Sequence, residues 1–158
     1  NENIELIKTL KPGGPENNNL KNTLWHNGKL YITSGYLSKE TTPTICVFDN
    51  DEWKSFETKT IAEKTGHKFV NAMCLDIDPR DENHVFVGCQ TGLYEYRDFA
   101  FVKEYNRHNS ILQTAQPIED KAGNSEELKK NYTEVTSLTY DNSGTLWIAN
   151  SYGKQPTI

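Results

Sequence analysis

One short pattern recurs three times along the chain: a polar turn followed by a strand whose second residue is aromatic. The copies are HNGKLYITSGY (26–36), DENHVFVGCQT (81–91) and NSGTLWIANSY (142–152). Tyr31, Phe86 and Trp147 align, as do Leu30, Val85 and Leu146, and Ile32, Val87 and Ile148. Self-similarity at a spacing of about 50 to 60 residues is the signature of an array of like units, each unable to bury its apolar faces alone. Each copy follows another strand-like stretch, LKNTLWH (20–26), VNAMCLDID (70–78) or VTSLTYD (135–141). The joining turns hold Asn27-Gly28, Pro79 with Asp81 and Asn83, and Asn142 with Gly144, residues that accept positive φ or preset a turn.

Two copies continue into a second hairpin, PTICVFDNDEWKSFET (43–58) and TGLYEYRDFAFVKEYN (91–106). Four short antiparallel strands per unit read as blades of a β-propeller rather than as a β-sandwich of irregular meanders. The expected fold is all-β, a propeller fragment of about two and a half four-stranded blades. The units cover about 20–58, 70–106 and 135–158, with insertions at 59–69 and 110–134. With IELIKTL (4–10) as a further strand the count is eleven, short of the at least four blades of a closed propeller. The chain opens on Asn1 and not Met, so a leader and more of the propeller are expected outside this sequence. In the first insertion, Ile61 to Lys64 reads as a short helix stopped by Gly66. The second, 110–134, reads as a solvated excursion with a helical turn at Glu126 to Lys130, or as a binding loop.

Composition narrows the function. Charged residues make up 25% of the 158 and the apolar set only 35%, so 8 Tyr, 6 Phe and 3 Trp must carry much of the core. Seventeen Lys and Arg against 22 Asp and Glu give a net charge of −5, the wrong sign for a nucleic-acid partner. No apolar run reaches the roughly 18 to 20 residues of a membrane helix. Cys46, Cys74 and Cys89 sit in apolar stretches without a CxxC spacing and read as buried free thiols.

Catalytic and cofactor motifs do not emerge. His26, His67, His84 and His108 are dispersed, and the acidic group Asp76, Asp78, Asp81 and Glu82 lacks the glycine and distal glutamate of a calcium loop. Neither phosphate-binding glycine pattern is present, and LKPGGPENNN (10–19) precedes a strand, so it reads as an inter-blade turn. The expectation is a non-enzyme with no metal and no cofactor. A binding site, if present, belongs where equivalent strand ends converge on one rim, at Ser34, Tyr36, Gln90, Asn150 and Tyr152. Such planar and amide side chains suit a glycan or glycolipid; the alternative is that they only cap strand ends.

The string GLYEYRD after a VFVG strand, with LWIANS in the next unit, resembles the propeller repeat of bacterial hybrid two-component regulators. The ordered set LKPGGPENN, GKLYITSGY, CVFDNDEW, LDIDPRDENHVFVG, GLYEYRDFAFVKEYNRHNSIL and YDNSGTLWIANS is similar to the N-terminal propeller of PorZ-like proteins of Bacteroidetes. That resemblance implies a periplasmic or cell-surface module. It would be either a ligand-sensing propeller feeding a kinase or a scaffold of the type IX secretion and sortase complex that binds lipopolysaccharide or partner proteins. Neither branch implies catalytic residues here. Other domains of a longer chain are the implied partners, and the uncovered blade faces and the free edge of TLWIANS predict self-association.

Overall fold

The computed structural model describes residues 14–17, 19–35, 40–114 and 125–151. Strand 4–10, most of the turn 10–19, Tyr36, Tyr152 and residues 115–124 of the second insertion lie outside the described residues.

Ten described strands form three antiparallel sheets. The first contains β1 (Leu20–His26), β2 (Lys29–Ser34), β3 (Ile45–Asp49) and β4 (Glu52–Ser55), in that spatial order. The second repeats it with β5 (Ala72–Ile77), β6 (His84–Cys89), β7 (Gly92–Arg97) and β8 (Ala100–Tyr105). The third pairs β9 (Val135–Tyr140) with β10 (Leu146–Asn150). First strands lie together, with β5 packed on β1 and β2 on one side and on β9 on the other. The chain is thus a fragment of a β-propeller, two complete blades and half of a third, with β1, β5 and β9 innermost.

Local chemistry sets the turns. Hairpins at Asn27-Gly28, Asn50-Asp51 and Asp98-Phe99 place both loop residues at positive φ, between 48° and 80°, the mirror-image turn that matches strand twist. Phe99 is the unusual member, since a bulky side chain resists that region. Its ring lies 4.9 Å from Phe56, and its carbonyl accepts the Glu57 N–H at 2.9 Å, so tertiary contacts hold it there.

The aligned aromatics occupy equivalent places on the second strands and point toward the following blade. Tyr31, opposite Val47, faces the second sheet, where it joins Ile45, Phe56, Leu75, Ile77, Val85, Val87, Tyr94 and Tyr96 in the larger core. Phe86 packs from the second sheet toward the third, beside Cys74, Leu93, Val135 and Leu138. The flanking residues face backward: Val85 and Val87 toward the first sheet, Leu146 and Ile148 toward the second. Exposure then follows position in the array. Tyr31 is 4% exposed and Phe86 half-buried, while Trp147, with no described blade after it, is 44% exposed. Each aromatic is thus buried as far as the following sheet covers it: Tyr31 meets a full four-stranded blade, Phe86 only the two-stranded third sheet, and Trp147 no described sheet. Phe86→Ala should cost about 2 kcal/mol, below the roughly 3 to 5 of a fully enclosed aromatic; a loss above about 4 in urea unfolding would mean the half-open site is read wrongly.

The insertions form α1 (Ile61–Thr65), closed by Gly66, and α2 (Glu126–Asn131), whose Ser125 side chain accepts the Leu128 N–H. The second helix is not only a solvated excursion. Leu128 and Tyr132 are buried against Val70, which docks it on the connection between α1 and β5. All three cysteines are free and buried.

Candidate functional site

Ser34 and Asn150 are the last residues of β2 and β10, at equivalent positions four beyond Leu30 and Leu146, while Gln90 stands one position further along, just past Cys89 at the end of β6. All three are buried. The Ser34 hydroxyl accepts the Thr44 N–H at 2.7 Å. The Asn150 amide donates to the carbonyls of Gln113 and Glu134 at 3.1 and 3.0 Å. Gln90 accepts from Asn71 Nδ2 at 2.8 Å, and Asn71 in turn accepts the Thr41 hydroxyl at 2.7 Å. These three side chains thus bond within and between blades, and Gln90 Nε2 is one of four buried side-chain atoms, with Thr33 Oγ1, Tyr96 OH and Thr133 Oγ1, that have no hydrogen-bond partner among the described residues.

The acidic quartet is dispersed by its partners. Asp76 accepts the Tyr140 N–H, Asp78 receives a two-pronged contact from Arg80, Asp81 pairs with Arg97, and Glu82 meets Asn27 and Lys29. The Arg80 guanidinium holds the Asp78 carboxyl well below its ordinary range. Among the described residues no group of three or more His, Cys, Asp and Glu is arranged to hold a metal ion. Burial pushes the Cys74 thiol up to about 12, so it stays protonated and a poor nucleophile.

Two histidine-centred chains were hidden in the sequence. His84 lies between Asp78, 3.2 Å from Nδ1, and Glu95, 2.9 Å from Nε2, and Glu95 also accepts the Tyr105 hydroxyl at 2.7 Å. The β6–β7 register makes His84 and Glu95 diagonal neighbours, so a firm hairpin alignment would have exposed this pair. The second chain runs from Thr91 to the Tyr94 hydroxyl at 2.7 Å, from Tyr94 to Glu104 at 2.9 Å, and from Glu104 to His67 Nε2 at 3.0 Å. No local spacing announces it, since His67 stands 37 positions from Glu104.

His67 is held between two acceptors. Its Nδ1 faces the Lys68 carbonyl at 3.1 Å and its Nε2 the Glu104 carboxylate, both acceptors, so the ring satisfies both only as imidazolium. The Glu104 hydrogen bond accordingly raises its pKa above the ordinary 6.5, against the lowering effect of burial. Because the folded value is raised, this stabilisation is fully present below about pH 6.5 and is lost as pH rises through the folded value. His67→Gln should flatten that pH dependence in denaturant titrations between about pH 6 and 9. An unchanged slope would assign it to other groups.

Beyond these chains, an apolar groove of about 350 Å³ runs along the outer half of the second blade beside β10, lined by Phe86, Leu93, Tyr105, Leu112, Leu146 and Ile148.

No protein-family model and no curated protein matches this chain. A solved structure does: PorZ of Porphyromonas gingivalis, described as an essential bacterial surface component of the type-IX secretion system. The match has a TM-score of 0.69 and 23% sequence identity, over 90% of this chain and 18% of that one. The chain therefore shares the fold of one segment of PorZ and spans about a fifth of its length.

Proposed function

We propose that this chain is a noncatalytic propeller segment of an extracytoplasmic protein that serves as a scaffold in a surface secretion assembly of the type-IX kind. The observation that carries the reading is the likeness of fold to PorZ along nearly the whole chain. It is favoured over ligand sensing by the engagement of Ser34 and Asn150, and of the Gln90 carbonyl, in the protein's own hydrogen bonds. A scaffold needs rigid, mutually braced blades, which the Glu82 contacts to Asn27 and Lys29 and the Asp76 contact to Tyr140 provide along the opposite rim. Partners are then proteins or glycolipids of the cell surface, and the net negative charge disfavours nucleic acid.

Deleting the gene in its host and following secreted cargo tests this reading. Loss of surface-delivered cargo, with the protein itself cleaved by protease added to intact cells, is the expected result. Normal secretion together with a glycan-array ligand whose binding Gln90→Ala abolishes would move the assignment to a sensing propeller.

A further inference from the structure

The connection between α1 and β5 carries a histidine and the mooring of α2 on adjacent residues. His67 lies between the Lys68 carbonyl, 3.1 Å from Nδ1, and the Glu104 carboxylate of β8, 3.0 Å from Nε2. From the next residue onward the same segment holds α2. The Lys68 N–H donates to Glu127 at 3.0 Å, and the Lys68 ammonium reaches Glu40 at 2.9 Å. Glu40 in turn accepts the N–H and hydroxyl of Ser125 at the start of α2. Val70 supplies the apolar seat for Leu128 and Tyr132. Three ties to α2 thus converge on residues 68–70.

One peptide group joins the histidine to these ties. An imidazole ring facing two acceptors needs a proton on each nitrogen to bond both. When one proton leaves, the Glu104 carboxylate, as the charged acceptor, keeps the remaining N–H at Nε2. The Nδ1 lone pair then faces the Lys68 carbonyl oxygen at hydrogen-bond distance, and the two partial negative charges repel. Rotation of the ring offers no escape. It gives up the bond to Glu104, which the Tyr94 hydroxyl fixes at 2.9 Å, and the His67 side chain is only 11% exposed. Relief instead turns the Lys68–Phe69 peptide, which displaces Lys68 on one side and Val70 on the other, the residues that moor α2.

From this geometry we infer that α2 is docked by a proton-dependent clasp, closed while both nitrogens of His67 carry a proton and loosened when one proton is lost. The charged and titratable groups around the ring are Glu104 of β8 with Tyr94 of β7 behind it, Lys68 beside it with its partner Glu40, and Glu127 of α2. Glu104 and Glu127 both favour the protonated ring, so its midpoint lies above the ordinary 6.5. The clasp is therefore closed below that midpoint and opens as pH rises through it.

Methyl NMR of the whole chain tests the proposal, because methyl signals persist at alkaline pH. The nuclear Overhauser contact between the Val70 and Leu128 methyls should weaken about twofold or more between about pH 6 and 9, with the same midpoint as the His67 ring signals. The Leu75–Val87 contact inside the second blade should hold throughout. In His67→Gln the Val70–Leu128 contact should no longer depend on pH. Glu104→Gln should carry the midpoints of ring and contact together to lower pH. A contact that stays constant while the ring titrates, or whose midpoint does not follow the ring's in Glu104→Gln, would overturn the inference. So would a weakening that persists in His67→Gln, or one that the Leu75–Val87 contact shares, which would make it an opening of the whole blade.

Discussion

Tyr94→Ala should destabilise this protein by about 3 to 5 kcal/mol, as emptying a closed aromatic site does. Tyr94 is fully buried, and its ring lies 4.5 Å from Phe69 and 6.1 Å from Phe101. Its hydroxyl also donates to Glu104, the carboxylate that holds His67. Small domains hold about 5 to 15 kcal/mol in total, so the variant stands near the margin of folding. Tyr94→Phe separates the two contributions. It keeps the ring and leaves the buried Glu104 oxygen without its donor, at a cost of about 1 to 3 kcal/mol. Urea unfolding followed by circular dichroism should rank wild type above Phe and Phe above Ala. Equal losses for both variants would place the whole effect in the hydrogen-bonded chain.

Gly92→Ala should be nearly as severe although it adds a single methyl group. Gly92 opens β7 at φ +144°, and a Cβ there would stand 2.4 Å from the Tyr105 carbonyl oxygen on the paired strand. The obstructing atom is backbone within a sheet, so relief requires β7 and β8 to separate. The combined conformational and steric cost is of order 3 kcal/mol, which for a domain this size lowers Tm by about 6 to 12 °C. Gly28→Ala is the control. Its φ of +80° carries a conformational cost of about 1 kcal/mol, but no atom lies within 4 Å of the added carbon. A melting experiment in which the two variants lose the same amount would show that the close approach of Tyr105 is relieved without penalty.

Much of the architecture was legible because it depends on local rules. Alternation at Leu30-Tyr31-Ile32, Val85-Phe86-Val87 and Leu146-Trp147-Ile148 assigns opposite faces to neighbouring residues in any strand, and the structure keeps those faces. Asn27-Gly28 announced its hairpin, and Gly66 stopped α1 as expected of a helix C-terminal glycine. The rim positions were legible as strand ends, but their hydrogen-bond partners were not. The partner of Ser34 is ten residues away on a separate segment, and Asn150 reaches Gln113 across 37.

Alternation by itself determined which way each strand residue points, and the repeat determined that the strands group into blades. Neither rule contains the neighbour a face will meet. Tyr31 and Trp147 are the same position in two units, yet one is 4% exposed and the other 44%, because burial depends on the next sheet in space. The same holds for charge. That Glu104 raises the His67 pKa was decided only when β8 and the α1–β5 connection came together, since Coulomb and hydrogen-bond energies depend on distances that a separation of 37 positions does not encode.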